Sequence, residues 1–136
     1  MAVFLDTNIL LYSISTAEDE SDKRARACRL LDRDDCALSI QVLQEFYVQS
    51  TRASRADALP RDLAFGLIRT WLRFQVQDNN LAVLQDAFAI KARHGLSFWD
   101  SSIVAAARAA GCRELYSEDL SAGQKFGDIV VVNPFR

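Results

Sequence analysis

The chain is poor in residues that mark several common classes of protein. It has a single histidine, His94, which excludes a metal centre built from several histidines. His94 stands just before Gly95, as an ordinary residue at a helix end does. The three cysteines, Cys28, Cys36 and Cys112, are odd in number and show no CxxC spacing. We therefore expect neither a zinc site nor a disulfide framework, and interpret them as buried thiols in a reducing compartment.

Long apolar runs and an excess of charge are also lacking. No stretch approaches the roughly 18 consecutive apolar residues of a membrane span. Asp6 interrupts the N-terminus before the apolar part of a leader could form. The formal net charge of −2 gives no general attraction to a polyanion. We expect a cytoplasmic protein that makes no membrane contact.

What the sequence does contain is an alternation of short apolar segments and amphipathic segments over 136 residues, half of them hydrophobic. The apolar segments, which predict strands, are 2–5, 36–39, 74–77, 114–116 and 129–132. Helices are predicted between them, and this alternation favours a parallel sheet covered on both faces. Since there are no repeats or linkers, we predict one α/β domain over residues 1–136.

Two helices have faces that the apolar spacing predicts to be buried. One helix is predicted over 19–33 and the other within 63–74, after a polar turn that contains Pro60. The predicted inward residues are Ala25, Cys28 and Leu31 in the first helix and Leu63, Leu67, Trp71 and Phe74 in the second.

Two acids stand just beyond predicted strands. Asp6 directly follows the first strand, and Asp119 lies shortly after the strand 114–116. Ligands of open parallel sheets bind at the carboxyl ends of the strands, so both acids are candidates for a site there. Asp6 is equally well placed to cap the helix that follows it, and the two interpretations are open at this point.

Two further acids lie on predicted helices. Asp100 shares the most apolar stripe of its helix with Ile103 and Val104, so its carboxylate is predicted to point inward. Ser97 and Asp100 also have the spacing of a capping box, which explains the residue type but not its inward direction. Glu45 lies off the centre of its apolar stripe, where a glutamate is usually solvated.

If these acids converge, their charges repel one another unless cations neutralise them. Mg²⁺ and Mn²⁺ prefer oxygen ligands, and such ions activate water and stabilise charge on phosphate oxygens. A divalent-metal site is therefore the hypothesis that their placement favours. Other α/β classes with acids at strand ends fit less well, because a receiver domain or a haloacid-dehalogenase phosphotransferase needs a second acid where this chain has Asp6-Thr7-Asn8.

Five segments, in order along the chain, resemble one known family. They are "FLDTNILLY", "EF" at 45–46, "LSFWDSSIVAAARAAGC", "LYSEDL" and "VVNPF". Together they resemble the PIN-domain ribonucleases and are most similar to the VapC-type toxins of bacterial toxin–antitoxin pairs. The resemblance implies a PIN-like fold, a central parallel sheet flanked by helices. It also implies a Mg²⁺- or Mn²⁺-dependent endoribonuclease that blocks translation when free of its antitoxin.

The resemblance also implies site residues and partners. Asp6 and Asp100 would hold the main metal, with Glu45 and Asp119 completing the shell directly or through water. Asn8 and Ser117 match supporting polar residues of the family, and Glu118 is an extra acid that could assist or replace Asp119. Some relatives carry a further acid one turn after the third one, where this chain has Ser101, Ser102 and Ile103. The site could therefore bind one metal ion or two.

The expected partners are an RNA substrate (tRNA, rRNA or mRNA), a VapB-type antitoxin and a second copy of the chain. Arg52 and Arg55, in the polar turn after Glu45, are candidates for contact with RNA or with a protein partner. Trp99, beside Asp100, belongs either to the core or to the lining of the cleft. The alternative function is a catalytically inactive PIN scaffold that binds protein or RNA, and divalent-metal binding distinguishes the two.

Overall fold

The computed structural model describes residues 2–136, and within this range a six-stranded sheet is flanked by six α-helices. The strands are β1 (Val3–Leu5), β2 (Cys36–Ser39), β3 (Gln75–Gln77), β4 (Glu114–Tyr116), β5 (Lys125–Phe126) and β6 (Ile129–Val132). The helices are α1 (Thr7–Ser13), α2 (Ser21–Leu31), α3 (Ile40–Ser50), α4 (Arg61–Trp71), α5 (Leu81–His94) and α6 (Phe98–Ala109), with a 3-10 turn at Glu18–Glu20.

The strand order is β3-β2-β1-β4-β6-β5, and every pairing is parallel except that of β5 with β6. The predicted α/β fold with a central parallel sheet is confirmed, and the sheet departs from it only in the antiparallel strand β5. Strand β5 was not predicted, because two residues are too few to show an alternating pattern. It turns back onto β6 at Gly127, which has a φ of +64° that glycine adopts without strain.

The core lies on both faces of the central strands. Phe4, Leu38 and Leu115 are completely buried there. Burial of each side chain of this size stabilises the fold by about 1.5–3 kcal/mol. Because the central strands are covered on both faces, their sequences are unbroken apolar runs. The rings of Phe46 on α3 and Trp71 on α4 meet edge to face at 4.8 Å and extend the core away from the sheet.

Helix α2 differs from the prediction in where it begins and in which face it buries. It starts at Ser21, after the separate 3-10 turn. Ala27 and Leu31 are buried, whereas Ala25 and Cys28 are exposed. The reason is that Ala27 and Leu31, four residues apart, form the stripe that packs toward α1, and small residues such as alanine give little signal for the phase of a helix.

The buried face of α4 was predicted correctly at its C-terminal end only. Trp71, the last residue of α4, is buried, as is Phe74, which lies in the turn after the helix and not in the helix as predicted. Leu63 is 52% exposed, and Ala64 takes its place in the core. Leu67 is half-buried. A helix that buries Ala64 and Trp71, seven residues apart, turns Leu63 to solvent even though its spacing to Leu67 is helical.

Two of the three cysteines are buried, as predicted, and the third is not. Cys36 and Cys112 are buried, and burial raises the pKa of each thiol to about 11. Cys28 is exposed on α2, so its interpretation as a buried thiol was wrong.

The junctions between strands and helices place polar residues at the carboxyl edge of the sheet. Asp6 links β1 to α1, and Ser39 links β2 to α3 and accepts a hydrogen bond from the Val42 amide.

Helix α5 ends at His94, as predicted, before Gly95 with a φ of +70°. Among residues 2–136 there is no helix long and apolar enough to cross a membrane.

Candidate active site

A cavity of about 370 Å³ opens at the carboxyl edge of the central strands. Four predicted acids line it: Asp6, Glu45, Asp100 and Asp119. They come from the β1–α1 junction, from α3, from the first turn of α6 and from the loop after β4. Because β1, β2 and β4 run parallel, their carboxyl ends meet at one edge, and segments far apart in sequence bring their carboxylates together there.

Asp6 both caps α1 and lines the cavity, so capping does not exclude a role for its carboxylate in a site. Its Oδ1 accepts a hydrogen bond from the Thr7 amide at 2.7 Å, and its Oδ2 accepts one from Ser117 Oγ at 2.7 Å. Burial raises the pKa of Asp6 to about 7. The hydrogen bonds from Ser117 and Thr7 oppose that shift, and the carboxylates of Asp119 and Glu45 add to it.

Ser117 connects Asp6 to the loop that carries Asp119. Its hydroxyl is completely buried and donates to Asp6 while accepting from the backbone amides of Asp119, at 3.1 Å, and Leu120, at 3.4 Å. One side chain therefore fixes the orientation of the first acid and the path of the loop that holds the fourth.

Asn8 holds the carboxylate of Asp119. Its Nδ2 donates to Asp119 Oδ2 at 3.1 Å. Its Oδ1 is buried and is the one buried side-chain oxygen or nitrogen without a hydrogen-bond partner within residues 2–136. Buried polar atoms are nearly always paired, so this acceptor is an exception. Because it is buried, a ligand in the cavity reaches it only if the Asn8 side chain moves.

Glu45 is half-buried rather than freely solvated, because two side chains hold it in the cavity wall. Thr7 Oγ1 donates to its Oε1 at 2.7 Å, and Gln41 Nε2 lies 3.4 Å from its Oε2. Sequence reasoning missed Thr7 and Gln41 as site residues. A signal for Gln41 was available, since it stands one turn before Glu45 on the same face of α3.

Asp100 takes part in helix capping through its backbone and reaches the cavity through its side chain. Its amide donates to Ser97 Oγ at 3.1 Å, which is one half of the predicted capping box. Ile103 and Val104, one turn further along α6, are buried, as the apolar stripe predicted. Capping thus leaves the carboxylate in the cavity wall, beside Ile103.

The structure does not bring Glu118 into this cavity. Its carboxylate pairs with Lys23 Nζ at 2.6 Å and accepts a hydrogen bond from the Tyr12 hydroxyl. Burial raises the pKa of Glu118, but the contacts with Lys23 and Tyr12 outweigh it and hold the pKa below its ordinary value. Asp119 is therefore the acid of this loop that lines the cavity.

The donor atoms fit a hard divalent cation. The four carboxylates that line the cavity offer oxygen ligands only. In the arrangement observed for residues 2–136, no three His, Cys, Asp or Glu side chains lie close enough to hold one ion together. Mg²⁺ commonly binds through one or two carboxylates and several waters, which this spacing allows.

The remaining walls include one arginine and a neighbouring apolar cavity. Arg55 lines the acidic cavity together with Glu20 and Tyr12. Trp99 is 63% exposed, so it does not belong to the core. With Arg52 it lines a second cavity of about 340 Å³ that shares Glu45 and Gln49 with the first.

The fold and the acidic cavity define an α/β domain with a carboxylate-lined site at the strand ends. A sequence model of the PIN domain matches residues 3–123, so the chain belongs to the PIN domain family. The resemblance of the sequence to that family is confirmed. No match was found among curated proteins.

Solved structures with the same fold include several toxins of toxin–antitoxin systems. VapC20 of Mycobacterium tuberculosis, a sarcin–ricin loop cleaving toxin, is 21% identical with a TM-score of 0.69, over 87% of this chain and 90% of that chain. A toxin–antitoxin complex from Klebsiella pneumoniae shows 19% identity and a TM-score of 0.72, over 98% of each chain. VapBC2 of Rickettsia felis, bound to a promoter DNA fragment, shows 17% identity and a TM-score of 0.67, over 96% and 97%.

Proposed function

We propose that this protein is a divalent-metal-dependent endoribonuclease, the toxin of a VapBC-type pair, which acts in the cytoplasm and blocks translation when free of its antitoxin. The observation that carries the proposal is the convergence of four carboxylates from four segments on one cavity. Membership of the PIN domain family supports it, as does the fold shared with a toxin described as cleaving the sarcin–ricin loop.

In this proposal Asp6 and Asp100 hold Mg²⁺ or Mn²⁺, and Glu45 and Asp119 complete the shell directly or through water. When bound, such an ion supplies the positive charge that activates water near neutral pH and neutralises phosphate oxygens. Cleavage would leave a 5′-phosphate and a 3′-hydroxyl.

The chain's own contacts support further roles in this proposal. Ser117 keeps the Asp6 carboxylate in one orientation through the 2.7 Å hydrogen bond, and Asn8 does the same for Asp119. Thr7 occupies Oε1 of Glu45, which leaves Oε2, with its long 3.4 Å contact, as the oxygen to accept a proton from the attacking water.

A VapB-type antitoxin is the proposed protein partner. Two of the structures that share this fold are a toxin–antitoxin complex and VapBC2 on promoter DNA. An antitoxin segment that covers the acidic cavity would exclude RNA and water from the four carboxylates. Such binding would make the toxin inactive without any change in its fold.

A homodimer is proposed on the outer face of α5. Leu81, Leu84 and Phe88 are exposed at spacings of three and four residues, and the Phe88 ring packs at 5.4 Å against Phe98. A face of this kind on a helix favours burial against a second copy. Phe88→Glu is expected to convert a dimer to a monomer in multi-angle light scattering, and a monomeric wild type would contradict the proposal.

Cleavage of purified tRNA, rRNA and mRNA in Mg²⁺ or Mn²⁺, beside EDTA, tests the nuclease. We expect metal-dependent cutting that Asp100→Asn reduces on the order of 1000-fold. The matched control is Asp62→Asn, which removes an almost fully exposed acid of α4. A folded wild type that neither binds metal nor cuts RNA would contradict the proposal and favour the inactive scaffold.

A further inference from the structure

The acidic cavity presents an electrostatic problem to an RNA substrate. Five carboxylates line it, namely those of Asp6, Glu20, Glu45, Asp100 and Asp119. An RNA phosphate that enters meets this negative field, and one or two bound cations would offset only part of it. Within the described part of the chain, residues 2–136, the one positively charged side chain that lines the cavity is Arg55.

Arg55 is held in place by contacts that join two separate segments. It lies in the 51–60 connection between α3 and α4, and its Nε donates to Asp57 Oδ1 at 2.7 Å. The other oxygen of Asp57 accepts hydrogen bonds from the backbone amide of Thr16, at 3.1 Å, and from its hydroxyl, at 3.0 Å. Thr16 belongs to the segment after α1, so Asp57 ties the α3–α4 connection to that segment.

These contacts orient the guanidinium without using all of its donors. Asp57 takes the Nε–H, and the terminal amino groups of Arg55 are left to donate to a ligand. The side chain of Arg55 is only 24% exposed, although it lies in a polar connection between helices. A guanidinium held along one edge and directed by a fixed carboxylate is preorganised to bind the oxygens of a phosphate.

We propose that Arg55 binds a backbone phosphate of the RNA substrate, and that Asp57 and Thr16 are the positioning residues that aim it. This inference rests on the proposed nuclease function. Arg55 donates hydrogen bonds to non-bridging phosphate oxygens and gains strength as negative charge builds up on them during cleavage. Because a phosphate contact reads no base, Arg55 contributes affinity and register but not sequence preference.

A purely structural ion pair is the competing interpretation of Arg55 and Asp57. The two residues are close in sequence and partly solvated, and such pairs contribute little to stability. Replacement of Arg55 should therefore leave the protein folded. An effect on RNA then separates the two interpretations, because a structural pair would change neither RNA affinity nor its dependence on salt.

Binding without catalysis is the first test. The affinity of a fluorescently labelled oligo(A) RNA is measured by anisotropy in EDTA over a series of salt concentrations. Arg55→Ala is expected to weaken binding about tenfold and to reduce the slope of log affinity against log salt by about 0.7, the loss of one single-strand phosphate contact. The charge-matched control is Arg69→Ala, an exposed arginine of α4 outside the acidic cavity.

Cleavage of the same RNA in Mn²⁺ is the second test. Arg55→Ala is expected to lower kcat/KM about 100-fold. Arg55→Lys keeps the charge but cannot satisfy Asp57 and a phosphate together, so about a tenfold loss is expected. Asp57→Asn and Thr16→Val should each cost about fivefold in the presence of Arg55 and nothing in an Arg55→Ala background, as positioning residues require.

The outcomes separate this inference from the function on which it rests. A wild type that cuts RNA together with an Arg55→Ala variant that binds and cuts as Arg69→Ala does would overturn the role of Arg55 alone. A loss of cleavage with an unchanged salt slope would also overturn it, since no phosphate contact would have been removed. A wild type that neither binds nor cuts any RNA overturns the nuclease function and this inference with it.

Discussion

Leu5 and Asp6 are neighbours at the end of β1, and both are almost fully removed from water, with 0% and 6% of their surfaces exposed. Burial of Leu5 stabilises the fold by about 1.5–3 kcal/mol. Burial of Asp6 raises its pKa to about 7, so its ionised form opposes folding. The boundary between the hydrophobic core and the acidic cavity thus falls between two consecutive residues, one whose burial stabilises the fold and one whose burial destabilises it.

The same contrast extends across the whole carboxyl edge. The sheet interior is apolar and well packed, whereas the adjoining cavity gathers carboxylates whose charges repel one another. Hydrogen bonds from Ser117, Thr7 and Asn8 hold these acids in place but do not neutralise them. Substitutions in the two regions should therefore have opposite effects on stability.

The largest effect on stability is expected in the sheet interior. Leu38→Ala, on β2, leaves a cavity in a fully buried site and should lower the free energy of unfolding by about 3 kcal/mol in a urea titration. The control Leu63→Ala, on the exposed side of α4, should change it by less than about 0.5 kcal/mol. Equal effects of the two substitutions would contradict the assignment of the core.

In EDTA, Asp6→Asn is expected to raise the free energy of unfolding near neutral pH, not to lower it. The folded-state pKa of about 7 lies above the ordinary aspartate value of 3.8, so the native protein binds this proton more tightly than the unfolded chain does. Stability is therefore lost as the pH rises from about 4 to 7, by about 4 kcal/mol in all. Asparagine avoids this loss, but it has one acceptor oxygen where the Thr7 amide and the Ser117 hydroxyl need two, which costs about 2 kcal/mol.

Asp6→Asn should therefore be about 2 kcal/mol more stable than wild type at pH 8 and no more stable at pH 4. Urea titrations at the two pH values measure this difference. A variant that is destabilised equally at pH 4 and pH 8 would show that folding does not raise the pKa of Asp6.

A smaller effect is expected where the two regions are joined. Ser117→Ala leaves the amides of Asp119 and Leu120 without their acceptor and Asp6 without a donor. The free energy of unfolding should fall by about 1 to 2 kcal/mol. Ser121→Ala, at an exposed serine four residues along, is the matched control. If the two variants unfold at the same urea concentration, the bonds of Ser117 contribute nothing to stability.

Much of the fold was predictable because burial leaves a pattern in the sequence. The central strands read as apolar runs, and His94 before Gly95 gives the end of α5. The phases of α2 and α4 were misjudged where alanine competed with a larger side chain, as Ala64 did with Leu63. Propensity cannot decide such cases, since the neighbouring helix selects the buried face.

The candidate site was predictable in its acids and, through the resemblance to the family, in Asn8 and Ser117. Asp6 stands at a strand end and Asp100 on an apolar stripe, and both positions are visible in the sequence. The contact of Thr7 with Glu45 spans 38 residues, and that of Thr16 with Asp57 spans 41. No local pattern encodes pairings at such distances, so Thr7, Thr16 and Asp57 emerged from the structure alone, whereas Asn8 and Ser117 were named beforehand by the resemblance to the family.

The most direct test of the account is a calorimetric titration of Mn²⁺ into the metal-free protein at pH 8, where Asp6 is ionised. We expect saturable binding by the wild type, at least about tenfold weaker binding by Asp100→Asn, and unchanged binding by Asp62→Asn. Absence of binding by a folded wild type, or equal binding by wild type and Asp100→Asn, would contradict the claim that these carboxylates are gathered to hold a divalent cation.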